Sequence, residues 1–349
     1  MKACFSRLIA PMLIALVVGA AHAVEADSPA LRARAAELVT AHVNIDSDTP
    51  GIELYLRNKR PRDWKPSAKR TLLFVHGATY PAETAFDLQL DGLSWMDYIA
   101  AHGWDVWLVD VRGYGRSTRP PEMQQPADQN APIVTTDVAI RDISSAVDYI
   151  LGTRGLPRLN LMGWSWGTTT MGGYAAANNA KVEKLVLFAP VWLRDTPLQL
   201  AGQGPLGAYR TVAKDAAKAR WLRGVPEDKV DGLIPPGWFE AWADATWATD
   251  PKSKASGLLR APNGVIHDVM NYWFQGKPLY DPGRIRAPTL IAHAEWDQDT
   301  PTYMAQALFS LLENAPARRF VQIGEGTHTV IMERNRMQLF REVQLFLEE

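Results

Sequence analysis

Apolar residues are distributed along this chain in short continuous runs separated by longer stretches of helical spacing. Uninterrupted runs at 71–75 and 105–109 predict strands buried on both faces, because a strand covered on one side only would alternate. Similar runs at 158–162, 184–188, 289–292 and 319–323 extend the series. Residues 51–57 alternate instead, and predict an antiparallel strand at the sheet edge. Between the runs, apolar residues recur three and four apart. Val138, Ile143, Val147 and Ile150 set a helix over 136–151 behind a Thr135 or Thr136 cap. Further helices are predicted around 94–101, 167–177, 303–312 and 333–347. Strands alternating with helices give an α/β fold with a mostly parallel, doubly wound sheet.

The alternation stops between about 191 and 286. That stretch holds Trp192, Trp221, Trp238, Trp242, Trp247 and Trp273, with several Gly and Pro and no strand-like period. Amphipathic pieces such as 237–248 point to a helical cap over 191–285, inserted into a core formed by 24–190 and 286–349. Length agrees with this division, since a single core rarely grows beyond about 250–300 residues. There is no internal repeat.

The first residues read as an export signal. Lys2 and Arg7 precede an apolar run over 8–20, and Ala21-His22-Ala23 is a small-x-small cleavage site, so residues 1–23 are expected to leave. The expected location is periplasmic or secreted, with no membrane attachment after cleavage. Cys4 is the only cysteine and departs with that segment, leaving neither disulfide nor thiolate metal site. Lys and Arg number 37 against 38 Asp and Glu, and no basic run stands out, which argues against nucleic acid as a partner. No cofactor or metal is expected: Gly113 and Gly115 lack the third glycine or lysine of a phosphate loop, and no acidic or His cluster has ligand spacing.

Chemistry concentrates at Gly163-Trp164-Ser165-Trp166-Gly167, where a buried strand meets a helix rich in small residues. Gly-x-Ser-x-Gly at such a junction is a nucleophile elbow, whose sharp turn requires small neighbours two positions away. A serine hydroxyl needs a base and an orienting acid. His328 follows the last strand, and Asp297 follows the one before it, with Asp299 as a competing acid. Ser165, Asp297 and His328 thus all fall just beyond strand ends, where open α/β sheets build their sites.

With Phe74-Val-His-Gly77, Asp110-Val-Arg-Gly-Tyr-Gly-Arg-Ser117, the elbow and the Asp297/His328 pair, the chain resembles the α/β-hydrolase superfamily over roughly 50–190 and 286–349. The resemblance implies an oxyanion hole from the backbone N–H groups of Ala78 and Trp166, with His76 shaping that turn. Serine at 165 separates the chain from related dehalogenases and epoxide hydrolases, whose nucleophile is aspartate. The expected activity is hydrolysis of a small-molecule carboxylic ester or lactone through an acyl-enzyme. Tyr80, Trp164 and Trp192 are the expected walls of a pocket for a bulky apolar or aromatic group. Two other readings remain. A proline iminopeptidase-like aminopeptidase or amidase would need cap carboxylates for the substrate amine, with Glu240, Asp244 and Asp268 as candidates. A non-catalytic binding protein on the same fold is the other.

Overall fold

The computed structural model describes residues 29–195 and 206–349; the expected signal at 1–23 lies outside them. Ten strands are present among these residues: β1 (Val39–Asp46), β2 (Glu53–Arg60), β3 (Thr71–Val75), β4 (Asp105–Val109), β5 (Leu159–Trp164), β6 (Val182–Phe188), β7 (Tyr209–Val212), β8 (Leu259–Pro262), β9 (Thr289–Ala294) and β10 (Arg318–Ile323). Eight form one sheet in the order β1-β2-β4-β3-β5-β6-β9-β10. β1 and β2 are antiparallel to their neighbours, and the remaining pairs are parallel.

The buried runs explain the two-faced core. Leu72 and Phe74 of β3 enter one apolar cluster, together with Leu108, Met162, Phe188 and Leu290. Leu73 and Val75 enter the other, with Val109, Leu161, Leu187 and Ile291. Successive side chains of a strand point to opposite faces, so a continuously apolar run feeds both clusters. Helices close each face. Trp95–Ala101 carries a capping box in which Ser94 accepts from the Asp97 backbone at 3.0 Å and Asp97 accepts from the Ser94 backbone at 3.1 Å.

One expectation about the edge is corrected. β2 is interior, flanked by β4 and by β1, which takes the edge. Both edges of β2 are therefore paired, and five of its eight residues are buried.

Chain order reverses around β3, whose neighbours are β4 on one side and β5 on the other. Such a reversal opens a crevice at the carboxyl ends of the strands. Gly77 and Ser165 stand there, at the ends of β3 and β5.

The stretch between β6 and β9 contains helices Lys214–Trp221, Trp238–Ala248 and Gly264–Asn271. It also contains a two-stranded antiparallel pair, β7 with β8, which the expectation of helices alone lacked. Each strand has four residues and its partner lies far away in sequence, so no local period announces it.

Candidate active site

Ser165 occupies the turn between β5 and the helix Trp166–Ala177, with φ 56° and ψ −123°. That left-handed conformation is rare for a residue with a Cβ. Neighbouring backbone holds it in place: the Ser165 N–H donates to Phe188 O on β6 at 2.9 Å, and its carbonyl accepts the Thr168 N–H at 2.8 Å. The two flanking glycines are required by contact. A Cβ on Gly163 would overlap the Gly167 carbonyl, and one on Gly167 would come within 2.5 Å of Val75 O and 2.7 Å of His76 O.

Asp297 and His328 meet across the ends of β9 and β10. Asp297 Oδ2 lies 2.8 Å from His328 Nδ1. A carboxylate only accepts, so Nδ1 carries the proton and Nε2 is left for other work. Asp297 Oδ1 accepts the backbone N–H groups of Asp299 and Thr300, each at 2.9 Å, and Oδ2 also takes the Thr300 hydroxyl at 2.7 Å. Burial alone would raise the Asp297 carboxyl; the facing His328 and these donors more than offset it, bringing it down to about 2. The competing acid is engaged elsewhere: Asp299 Oδ2 receives Arg220 at 2.7–2.8 Å, and Oδ1 receives Arg223. His328 is steadied from behind by Trp164, whose indole N–H donates to the His328 carbonyl at 3.1 Å. Ser165 and His328 line the same cavity.

Ala78 and Trp166, which line the cavities at Ser165, carry candidate backbone donors. Trp166 is the first residue of its helix, so its N–H is one of the donors a helix N-terminus leaves without an internal partner. Ala78 follows the end of β3, and His76 governs its peptide. His76 Nε2 accepts the Val111 N–H at 3.1 Å, which puts the ring proton on Nδ1, 2.7 Å from Gly77 O. The Gly77 carbonyl and the Ala78 N–H share one planar peptide unit, so fixing the first aims the second. Burial lowers His76 to about 4, keeping it neutral in this double role. The Ala78 carbonyl is held separately, by Tyr114 Oη at 2.8 Å and by Arg210 of β7 at 2.6 Å.

Two cavities share Ala78, Ser165, Arg220 and Asp299 in their walls. The first is aromatic: Tyr80 stands edge-on to Trp242 with ring centres 4.7 Å apart, and Trp164 and Trp221 complete it. The second joins Trp166, Ile266, Val269 and Trp273 to Arg194 and Arg223. Tyr80 and Trp164 thus border the site, and Trp192 does not. Trp192 packs edge-on against Tyr280 at 5.4 Å in the apolar cluster of one sheet face, while its neighbours Val191 and Arg194 line the second cavity.

The carboxylates considered for an amine also lie elsewhere. Glu240 and Asp244 are exposed beside Lys218 and Lys214, and buried Asp268 accepts the Thr136 N–H and hydroxyl at 2.7 and 2.6 Å. Among the described residues, no group of three His, Cys, Asp or Glu side chains is placed to hold a metal ion. Nothing in the pattern of the insertion marks Arg210, Arg220 or Arg223, since an arginine on a short amphipathic helix or strand reads as a solvated face.

A family model described as alpha/beta hydrolase fold matches residues 70–335. Lipase lipl-3 of Caenorhabditis elegans is 26% identical over 130 residues, 36% of this chain and 32% of that protein, so the match spans about a third of the lipase. Among solved structures, a hydrolase from Pseudomonas aeruginosa PA01 superposes with a TM-score of 0.60 at 17% identity, over 88% of this chain and 98% of that one. A membrane phospholipase A described as a bacterial virulence factor gives 0.57 at 17% identity, covering 91% and 88%. A thermophilic esterase from Thermogutta terrifontis gives 0.55 at 18%, covering 88% and 100%. At these identities the structures establish a shared fold.

Proposed function

The chain belongs to the α/β-hydrolase fold family, and from that premise we propose that it is a serine hydrolase cleaving carboxylic esters through an acyl-enzyme. Ser165 Oγ attacks the carbonyl carbon while His328 Nε2 removes the hydroxyl proton. Asp297 holds the opposite ring nitrogen and stabilises the imidazolium that forms. The oxyanion accepts from the Ala78 and Trp166 N–H groups. Collapse expels the alcohol, which takes the proton from His328, and water then repeats the sequence to release the acid. The observation that carries this reading is the 2.8 Å contact between Asp297 Oδ2 and His328 Nδ1 in the cavity wall that also presents Ser165. The aromatic cavity supports a bulky apolar or aromatic group on the substrate. The arginines beside Ser165 disfavour the ammonium group that an aminopeptidase must bind. By the pattern of residues 1–23, the enzyme acts in the periplasm or outside the cell.

Hydrolysis of p-nitrophenyl acyl esters by the mature chain and by Ser165→Ala tests the assignment. We expect kcat to fall by at least about 10³-fold in the variant. Activity that persists would remove Ser165 from the mechanism, and faster turnover of prolyl arylamides than of esters would favour a peptidase. Failure of a fluorophosphonate to label Ser165 in the folded wild type would favour a binding protein.

A further inference from the structure

The two tryptophans that flank Ser165 belong to different cavities. Trp164 lines the first, together with Tyr80, Trp221, Trp242 and His328. Trp166 lines the second, and His328 is not among the described residues of that wall. Both rings are fixed, the Trp164 indole N–H by the His328 carbonyl at 3.1 Å and the Trp166 indole N–H by the Thr136 hydroxyl at 2.9 Å. The walls also differ in kind. In the first, ring meets ring: Trp164 lies 5.5 Å from the His328 imidazole, and Trp242 stands edge-on to Tyr80 at 4.7 Å and to Trp221 at 5.2 Å. In the second, Val191, Val265, Ile266 and Val269 give a branched aliphatic surface. Its charged groups are engaged with one another, Arg220 and Arg223 with the Asp299 carboxylate and Arg194 with the Asp299 carbonyl.

We propose that the aromatic cavity takes the alcohol half of the substrate and the aliphatic cavity takes the acyl half, so that the protein acts on esters joining an aryl-bearing alcohol to an aliphatic acid. The inference rests on Ser165 being the nucleophile. When the bond from Ser165 Oγ forms, the carbonyl carbon becomes tetrahedral and carries Oγ, the oxyanion, the alcohol oxygen and the acyl chain. The alcohol oxygen must come within hydrogen-bond reach of His328, because the proton taken from Ser165 passes to it as its bond to carbon breaks. The alcohol therefore extends on the His328 side, into the first cavity. With the oxyanion turned to the backbone donors, the acyl chain takes the remaining direction, into the second. Edge-on and offset contacts with Tyr80 and Trp242 favour a flat ring in the first. The branched aliphatic surface of the second suits a methylene chain, held by non-directional apolar contact.

The benzyl and ethyl esters of acetic and hexanoic acid test the assignment, since the two alcohols are leaving groups of similar acidity. Wild type should prefer benzyl to ethyl by roughly tenfold or more in kcat/KM, and hexanoate to acetate by a similar factor. In Tyr80→Leu and Trp242→Leu the benzyl-to-ethyl ratio should fall several-fold while the hexanoate-to-acetate ratio stays within about twofold, and Val269→Phe should do the converse. Each ratio is taken within one preparation, so loss of folded protein cancels. The reverse pattern, or ratios that the variants move alike or not at all, overturns the assignment. A crystal structure of wild type treated with ethyl p-nitrophenyl pentylphosphonate decides the same point without substitution. Ser165 Oγ bonds to phosphorus, its proton passes to His328 and p-nitrophenolate leaves, so that phosphorus stands in place of the carbonyl carbon. The pentyl chain should lie along Ile266 and Val269, with the ethoxy group toward Trp164 and Tyr80. The opposite placement overturns the assignment and leaves the serine mechanism standing. No phosphonylation together with no cleavage of any ester would instead overturn the mechanism, and the assignment with it.

Discussion

His76 shows how much a single buried side chain does at this site. It donates to Gly77 O at 2.7 Å and accepts from Val111 N at 3.1 Å, tying the ends of β3 and β4 together and aiming the Ala78 N–H. In His76→Leu both backbone groups lose their partner, at about 1–3 kcal/mol for each buried group left unsatisfied. We expect lower stability in denaturant titrations, and, on the proposed mechanism, in which the affected donor serves the developing oxyanion, kcat reduced by at least about tenfold with KM little changed. A KM effect alone would contradict that role. The ring also gives a pH signature. Burial lowers it from 6.5 to about 4, so the unfolded chain takes up a proton that the folded chain refuses. Its contribution to stability is present above pH 6.5 and is lost as pH falls toward 4. His76→Leu should lack that portion of the acid destabilisation.

At the scale of elements, apolar runs carried the information for β3, β4, β5, β6 and β9, because strands covered on both faces need continuous hydrophobic sequence. β1 is equally legible: Val39, Ala41, Val43 and Ile45 alternate with Thr40, His42, Asn44 and Asp46, and it is this alternation that marks the sheet edge. β7 and β8 had no such signal. Their pairing nevertheless delivers Arg210, whose guanidinium donates to Pro262 O at 2.6 Å, Ala78 O at 2.6 Å and Thr79 Oγ1 at 2.8 Å. A strand of the insertion thereby clamps the segment that follows β3. Replacing Arg210 with Met removes all three donors, while Tyr114 still holds the Ala78 carbonyl. The expected outcome is a fall in kcat of roughly tenfold, the order of one charge-assisted bond. Arg210→Lys should recover part of it by keeping a donor, and steady-state kinetics on one ester would show whether it does.

Across the whole molecule, Glu333 joins the insertion to the loop that bears His328. It accepts the Trp221 indole N–H at 2.8 Å and the Thr327 N–H at 3.1 Å. Burial raises its carboxyl from 4.5 to about 7 despite these donors, and burial likewise raises Asp110 from 3.8 to about 6. Folded-state values above the unfolded ones mean that these contributions are full at low pH and are lost as pH rises through about 6 and 7. His76 works in the opposite direction between 4 and 6.5. Two groups against one predict that the denaturation midpoint declines from pH 5 to pH 8, less steeply in Glu333→Gln, which has no carboxyl to titrate. A midpoint that climbs across that range would show that other groups dominate.

Sequence by itself determined the sheet core, the Ser165 turn and the residues that stand beyond β9 and β10. Each of those is written locally, in apolar runs or in glycines at fixed offsets from a serine. Only the tertiary structure decided which acid meets His328, since Asp297 and Asp299 are two residues apart and differ in what the fold sets before them. It also decided that Trp221 and Trp242 face the site while Trp192 does not, and that arginines from the insertion gather beside the serine. Such placements depend on contacts between segments far apart in the chain, and no periodicity within either segment encodes them.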